Sequence, residues 1–132
     1  MNLSIADIEE YLSIVRQAVR EDRYEIERNE NREENLKLSW QYMLPEEEIK
    51  KIIYSLTPLD FSEAVKNRKK RFANEILYVF GKNVNLIERD SGQEKEIELY
   101  IKFNKEIDNY VIVISFHEAK HPVKKYFHLL WV

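Results

Sequence analysis

The sequence predicts an α+β fold in which N-terminal helices pack on one face of a small antiparallel sheet. Three observations carry this expectation. Apolar residues recur at helical spacing through the first 57 residues, β-branched and aromatic runs dominate after residue 75, and the helices come as a group before the strands instead of alternating with them. The length of 132 residues suits one domain with one core, spanning 1–132, mainly helical over 1–57 and sheet-forming over 75–131.

The first helix starts at Ser4, a capping residue, with Asp7 in the position that completes a capping box. Ile5, Ile8, Leu12, Val15 and Val19 then mark one apolar stripe, to about Glu21. Residues 24–27 read as a short edge strand or a connector. Residues 31–42 suit a second helix, with Leu36 and Trp40 four apart. Pro45 fits the first turn of a third helix, where Glu46, Glu47 and Glu48 complement the helix dipole. Its stripe is Ile49, Ile52, Ile53 and Leu56, and Thr57-Pro58 ends it because the residue before proline is pushed out of helical geometry.

Three strands are expected around residues 76–80, 97–103 and 110–116. Asp90-Ser91-Gly92 marks the loop between the first two, and Asp108-Asn109 the turn between the last two. Residues 123–131 are read as a final strand, since Tyr126, Phe127, Leu129, Leu130 and Trp131 are costly to expose.

Composition excludes several classes. A hydrophobic content of 44% with 12% aromatics argues against wholesale disorder. The absence of cysteine removes disulfides, thiolate metal sites and cysteine nucleophiles together. No apolar run approaches the roughly 20 residues that span a bilayer, and Met1-Asn2-Leu3-Ser4 does not open a secretory signal. A cytoplasmic protein without membrane association is the expectation. The net charge of −3 conceals a division: residues 1–63 hold 15 acids and 8 bases, residues 64–132 hold 9 acids and 13 bases. The basic half is the side expected to meet a polyanion.

Strand alternation sorts residues into faces. Leu99, Ile101 and Phe103 point one way, Tyr100 and Lys102 the other; Ile112, Ile114 and Phe116 oppose Val111, Val113, Ser115 and His117. With the helices on the apolar face, Tyr100, Lys102, Ser115 and His117 share the open one. The same reasoning turns Leu77 and Val79 inward and leaves Tyr78, Phe80 and Lys82 open. Such a cluster has the groups needed to cleave RNA without a metal. The 2′-hydroxyl must lose a proton, the phosphorane needs cationic stabilisation, and the leaving 5′-oxygen must gain a proton. His117 is the natural proton-transfer group, because an unperturbed imidazole titrates near neutrality. Lys102 and Lys82 can hold phosphate, and Tyr100 can orient it or stack on a base. The bland alternative is that these are simply the polar residues of a solvated sheet face.

Two further motifs bear on function. Lys66-Asn67-Arg68-Lys69-Lys70-Arg71 places five cations in six residues, a phosphate clamp or a solvated segment. His117-Glu118-Ala119-Lys120-His121 matches the zinc-protease letters H-E-x-x-H, which require a helix to put both histidines on one face. Here the motif follows a β run and precedes Pro122, so no metal site is expected from it.

The stretch Ile53-Tyr54-Ser55-Leu56 to Asp60-Phe61-Ser62, then Val79-Phe80-Gly81-Lys82, Glu98-Leu99-Tyr100-Ile101-Lys102 and Ile114-Ser115-Phe116-His117-Glu118, resembles the MqsR-like toxins of bacterial toxin–antitoxin modules, over roughly residues 45–125. The resemblance implies a RelE-like α+β ribonuclease that cleaves mRNA, needs no metal or cofactor, and is neutralised by an antitoxin protein. Tyr100 and Lys102 match the family's Tyr-x-Lys strand, and His117 occupies the place after Ser-Phe where better-known members carry Lys. Glu63 stands where a basic residue is expected, and Tyr78 or Val79 where a Gln is expected. The first 44 residues exceed the family's pattern. The catalytic candidates are therefore His117, Lys102 and Tyr100, and the RNA-binding candidates Lys82, Lys66, Arg68, Lys69, Lys70 and Arg71. The rival expectation is a non-catalytic protein-binding module of the same fold, whose sheet edge, acidic helices or aromatic C-terminus engages a partner.

Overall fold

Helix α1 (Ile5–Arg20) forms where the apolar stripe places it, and its start is locked by a reciprocal cap. Ser4 Oγ accepts from the Asp7 N–H at 3.1 Å while Asp7 Oδ2 accepts from the Ser4 N–H at 2.8 Å. Ile8, Leu12, Val15 and Val19 are buried; Ile5, in the first turn, is exposed. The chain continues through β1 (Tyr24–Ile26), α2 (Glu33–Gln41), β2 (Tyr42–Met43) and α3 (Glu46–Ser55). Pro45 caps α3 from outside its first turn, with extended backbone. In α2 the buried positions are Asn35 and Leu38, whereas Trp40 is 64% exposed.

A 3₁₀ turn, Pro58–Asp60, leads into β3 (Phe61–Lys66), a strand the pattern analysis did not anticipate, and the chain ends in β4 (Ile76–Glu88), β5 (Glu94–Lys105) and β6 (Val111–Glu118). The computed structural model describes residues 2–28, 32–67 and 75–128. The six-stranded sheet has the order β1-β6-β5-β4-β2, with β3 also paired to β4. Every pair is antiparallel except β1 with β6, so the sheet is mixed and not purely antiparallel. No hairpin joins β1 to β6, so nothing in the connection forces them to run oppositely.

One face of this sheet carries the core. Phe61, Phe80, Leu99, Ile101, Phe103, Val111, Val113 and Phe116 cluster there with the buried residues of the helices. Simple alternation misplaces several of these, for two reasons. Ile114 is an extra residue in β6: Lys102 pairs with Ser115, but Phe103 pairs with Val113. This bulge reverses the parity, so Val111 and Val113 join Phe116 in the core while Ser115 and His117 stay on the second face. In β4 every residue from Ile76 to Phe80 is apolar, so the pattern contains no parity to read, and pairing with β5 decides it. Tyr78, Phe80 and Lys82 lie opposite Phe103, Ile101 and Leu99 on the core face, and Leu77, Val79 and Gly81 belong to the second face.

Residues 119–128 form no strand, contrary to the expectation for the C-terminus; residues 129–132 lie outside the described residues. The tail instead folds back across the sheet. Val123 N–H donates to Glu98 Oε1 at 3.0 Å, Tyr126 N–H donates to Phe61 O at 2.8 Å, and Leu3 N–H donates to the Tyr126 hydroxyl at 3.1 Å. Phe127 is partly buried against the core beside Phe61. These aromatics are thus sheltered by docking and not by strand pairing. Among the described residues, no helix is long and apolar enough to cross a membrane.

Candidate functional site

The second face is built in rows by the sheet register. In one row His117 of β6 lies opposite Tyr100 of β5, which lies opposite Gly81 of β4. In the next row Ser115 faces Lys102, Lys102 faces Val79, and Val79 faces Glu63 of β3. Tyr100, Lys102, Ser115 and His117 therefore share one face, as alternation predicts, but Ser115 is buried there and does not stand on an open surface. Lys82 does not join them. Its Nζ is held on the other side of β4, 3.3 Å from Asp60 Oδ2 and 3.3 Å from Ser55 O.

Gly81 has a local reason to be glycine. A Cβ there would lie 2.6 Å from Val123 Cβ, closer than any real pair of such atoms, so the tail can cross the row only where no side chain stands. Lys125 Nζ donates to the Gly81 carbonyl and secures that crossing. Burial lowers the affinity of the Lys125 amine for its proton, an effect opposed by the carboxylates of Asp60 and Glu98.

The returning tail walls a cleft of about 460 Å³. Tyr100, His117 and Glu63 contribute from the sheet; Lys120, His121 and Lys124 contribute from the tail. The Tyr100 and His117 rings are stacked, with centroids 5.3 Å apart and planes 16° from parallel. Nδ1 of His117 is 3.0 Å from Glu118 O. A carbonyl oxygen only accepts, so Nδ1 carries a hydrogen, and Nε2 is the nitrogen whose protonation can change. Burial, and secondarily the Glu63 carboxylate, raise the Tyr100 phenol above its ordinary value, which keeps it a neutral donor.

A second cleft of about 480 Å³ opens further along the same face. Lys66, Lys102, Asn104 and Arg32 line it, together with Glu75. Asn104 Nδ2 donates to Glu75 Oε2 at 2.7 Å, and Arg32 Nε donates to Glu27 Oε2 at 2.9 Å. Lys66 thus sits with Lys102, one stretch of β5 away from the stacked pair. Arg68, Lys69, Lys70 and Arg71 lie outside the described residues.

The letters H-E-x-x-H do not form a helix. His117 ends β6 and His121 stands in the tail. Among the described residues, no group of three or more His, Asp or Glu side chains is arranged to hold a metal ion.

Sequence reasoning missed Glu63 and the tail cations as site residues. Glu63 stood only as a departure from a family pattern, Lys120 and His121 only as part of the H-E-x-x-H letters, and Lys124 in a segment expected to be the final strand. The one available signal was Gly81, a glycine in a strand run, which marks close approach of another segment. No family model, no curated protein and no solved structure matches this chain.

Proposed function

We propose that this chain is a metal-independent endoribonuclease of the toxin type, cleaving mRNA in the cytoplasm and held in check by a cognate antitoxin protein. The observation that carries the reading is the Tyr100–His117 pair, stacked across two strands at the floor of a cleft walled by cations. His117 Nε2 takes or gives the proton of the reaction. Tyr100 donates from its neutral hydroxyl to a phosphate oxygen, or receives a base on its ring. Lys102, one row away, offsets the charge that develops on the phosphorane. The chemistry is transesterification: the 2′-oxygen bonds to phosphorus, the bond from phosphorus to the 5′-oxygen breaks, and one proton is removed and one returned. The MqsR-like strand motifs agree with this assignment of Tyr100 and Lys102.

Incubating the purified protein with a mixed single-stranded RNA pool in EDTA tests the reading. Fragments ending in 2′,3′-cyclic phosphate and beginning with 5′-hydroxyl are expected. Intact RNA at high protein concentration would leave the protein-binding module as the better account.

A further inference from the structure

We propose that Glu63 is the general base of this cleft, and that His117 is consequently its general acid. The inference rests on the ribonuclease reading above and divides its two proton transfers between named groups.

The first support is how β3 presents Glu63. Two residues apart on a regular strand, Phe61 and Glu63 would point to the same side. Phe61 is fully buried opposite Phe80, so an unbroken strand would drive the Glu63 carboxylate into the core. Ser62 is an extra residue here, because Phe61 pairs with Phe80 while Glu63 already pairs with Val79. The bulge turns Glu63 onto the second face. Bulges of this kind commonly re-aim a side chain beside a functional site. The β6 bulge at Ile114 does the same for Ser115 and His117, so two independent irregularities deliver side chains to one surface.

The second support is the company Glu63 keeps. Among the described residues that line the cleft it is the only carboxylate. It shares the cleft with Tyr100 of β5, His117 of β6 and Lys120, His121 and Lys124 of the tail, and its own row across the sheet carries Val79, Lys102 and Ser115; Ser62 is its neighbour on its own strand. A carboxylate oxygen is a proton acceptor, and Glu63 places one in the same cleft as the His117 imidazole. A base and an acid of this kind work in concert only if one is deprotonated while the other is protonated, and a carboxylate with an imidazolium satisfies that condition. Glu63 takes the proton of the 2′-hydroxyl as the new bond to phosphorus forms. His117 gives its Nε2 proton to the departing 5′-oxygen as that bond breaks, so one proton enters the site and one leaves.

The test is a single-turnover comparison of wild type and Glu63→Gln on one single-stranded RNA in EDTA, as a function of pH, with RNA affinity measured separately. Glu63→Gln is exposed and nearly isosteric, so the fold is expected to persist. The expected result is a cleavage rate reduced about a hundredfold, unchanged affinity, and loss of the acid-side limb of the pH–rate profile, with Glu63→Asp restoring the limb. Wild-type cleavage with an equal rate and an unaltered acid limb in Glu63→Gln would overturn the assignment while leaving the ribonuclease reading in place. Weakened affinity with an unchanged rate would also overturn it, making Glu63 a binding group. Failure of the wild type itself to cleave would remove both.

Discussion

Tyr100 and His117 face one another across β5 and β6, and their rings stack 16° from parallel with centroids 5.3 Å apart. The stack and the contact of Nδ1 with Glu118 O together hold the imidazole in one orientation. That rigidity is what a proton-transfer group needs, because misplacement by an ångström costs orders of magnitude in rate.

Lysines on the two faces of β4 and β5 are expected to behave differently. Lys102→Ala should weaken RNA binding and lower the slope of log affinity against log salt by about one. Lys82→Ala removes an ion pair to Asp60 on the other face, and RNA affinity should not change. Salt-dependent binding titrations of the two variants check this. A larger loss from Lys82→Ala would mean that the phosphate path runs along the opposite edge.

Gly81→Ala should dislodge the tail. The new Cβ would sit 2.6 Å from Val123 Cβ and 2.7 Å from Val123 Cγ1. Overpacking of this kind costs about 1–3 kcal/mol. Thermal unfolding and protease sensitivity of residues 119–128 report it, and Val123→Gly in the same chain should restore both. A fully stable Gly81→Ala would show that the tail does not need the gap.

Asn35 braces the outer edge of β6 where β1 ends. Its Oδ1 accepts from Phe116 N–H at 2.9 Å, and its Nδ2 donates to Ile114 O at 3.0 Å and Glu27 O at 2.7 Å. The side chain thereby supplies hydrogen bonds that a neighbouring strand would otherwise make, and it holds the bulge that turns His117 outward. Asn35→Ala should cost about 2–3 kcal/mol, since buried backbone groups lose their partners. Urea unfolding measures the loss, and amide exchange at Phe116 should accelerate. Unchanged exchange there would contradict the bracing role.

Alkaline stability should depend on Tyr11. Its ring stacks on Tyr78 at 3.9 Å and 7°, and its hydroxyl is buried without a hydrogen-bond partner among the described residues. Burial, then the neighbouring Tyr78, raise its affinity for the proton above the ordinary value of 10.0. A phenol that holds its proton more tightly when folded stabilises the fold fully below the unfolded value, and the contribution is lost as pH rises above it. Stability should therefore fall above roughly pH 10. Tyr11→Phe should flatten that fall and be neutral or stabilising by about 1 kcal/mol near neutrality, because an unsatisfied hydroxyl disappears. Thermal melts across the alkaline range decide the matter; an unaltered alkaline fall in the variant would contradict it.

Element types were legible where periodicity is strong. The α1 stripe, the acidic start of α3 and the alternation of Leu99, Tyr100, Ile101, Lys102 and Phe103 each specify an element and its face. What escaped was decided by partners. The extra residues Ser62 and Ile114 leave no mark in composition, yet each reverses a face. The all-apolar start of β4 offers no alternation, so the placement of Lys82 depended on register with β5. Tyr126 and Phe127 carry the same hydrophobic signal whether they pair as a strand or dock on Phe61, and the sequence pattern cannot separate those outcomes. The Tyr100–His117–Lys102 surface was readable because residues 100–102 and 115–117 pair in unbroken alternation beyond the β6 bulge; Glu63 was not, because the bulge at Ser62 lies directly before it.

The most direct measurement is the rate of RNA cleavage in EDTA by purified wild type and by His117→Ala, with folding of both confirmed by thermal melting. The expected result is metal-free cleavage by the wild type and a rate lower by about 10²–10⁴-fold in the variant. Equal rates from two folded proteins, or intact RNA with both, would contradict the assignment of this cleft as a ribonuclease site.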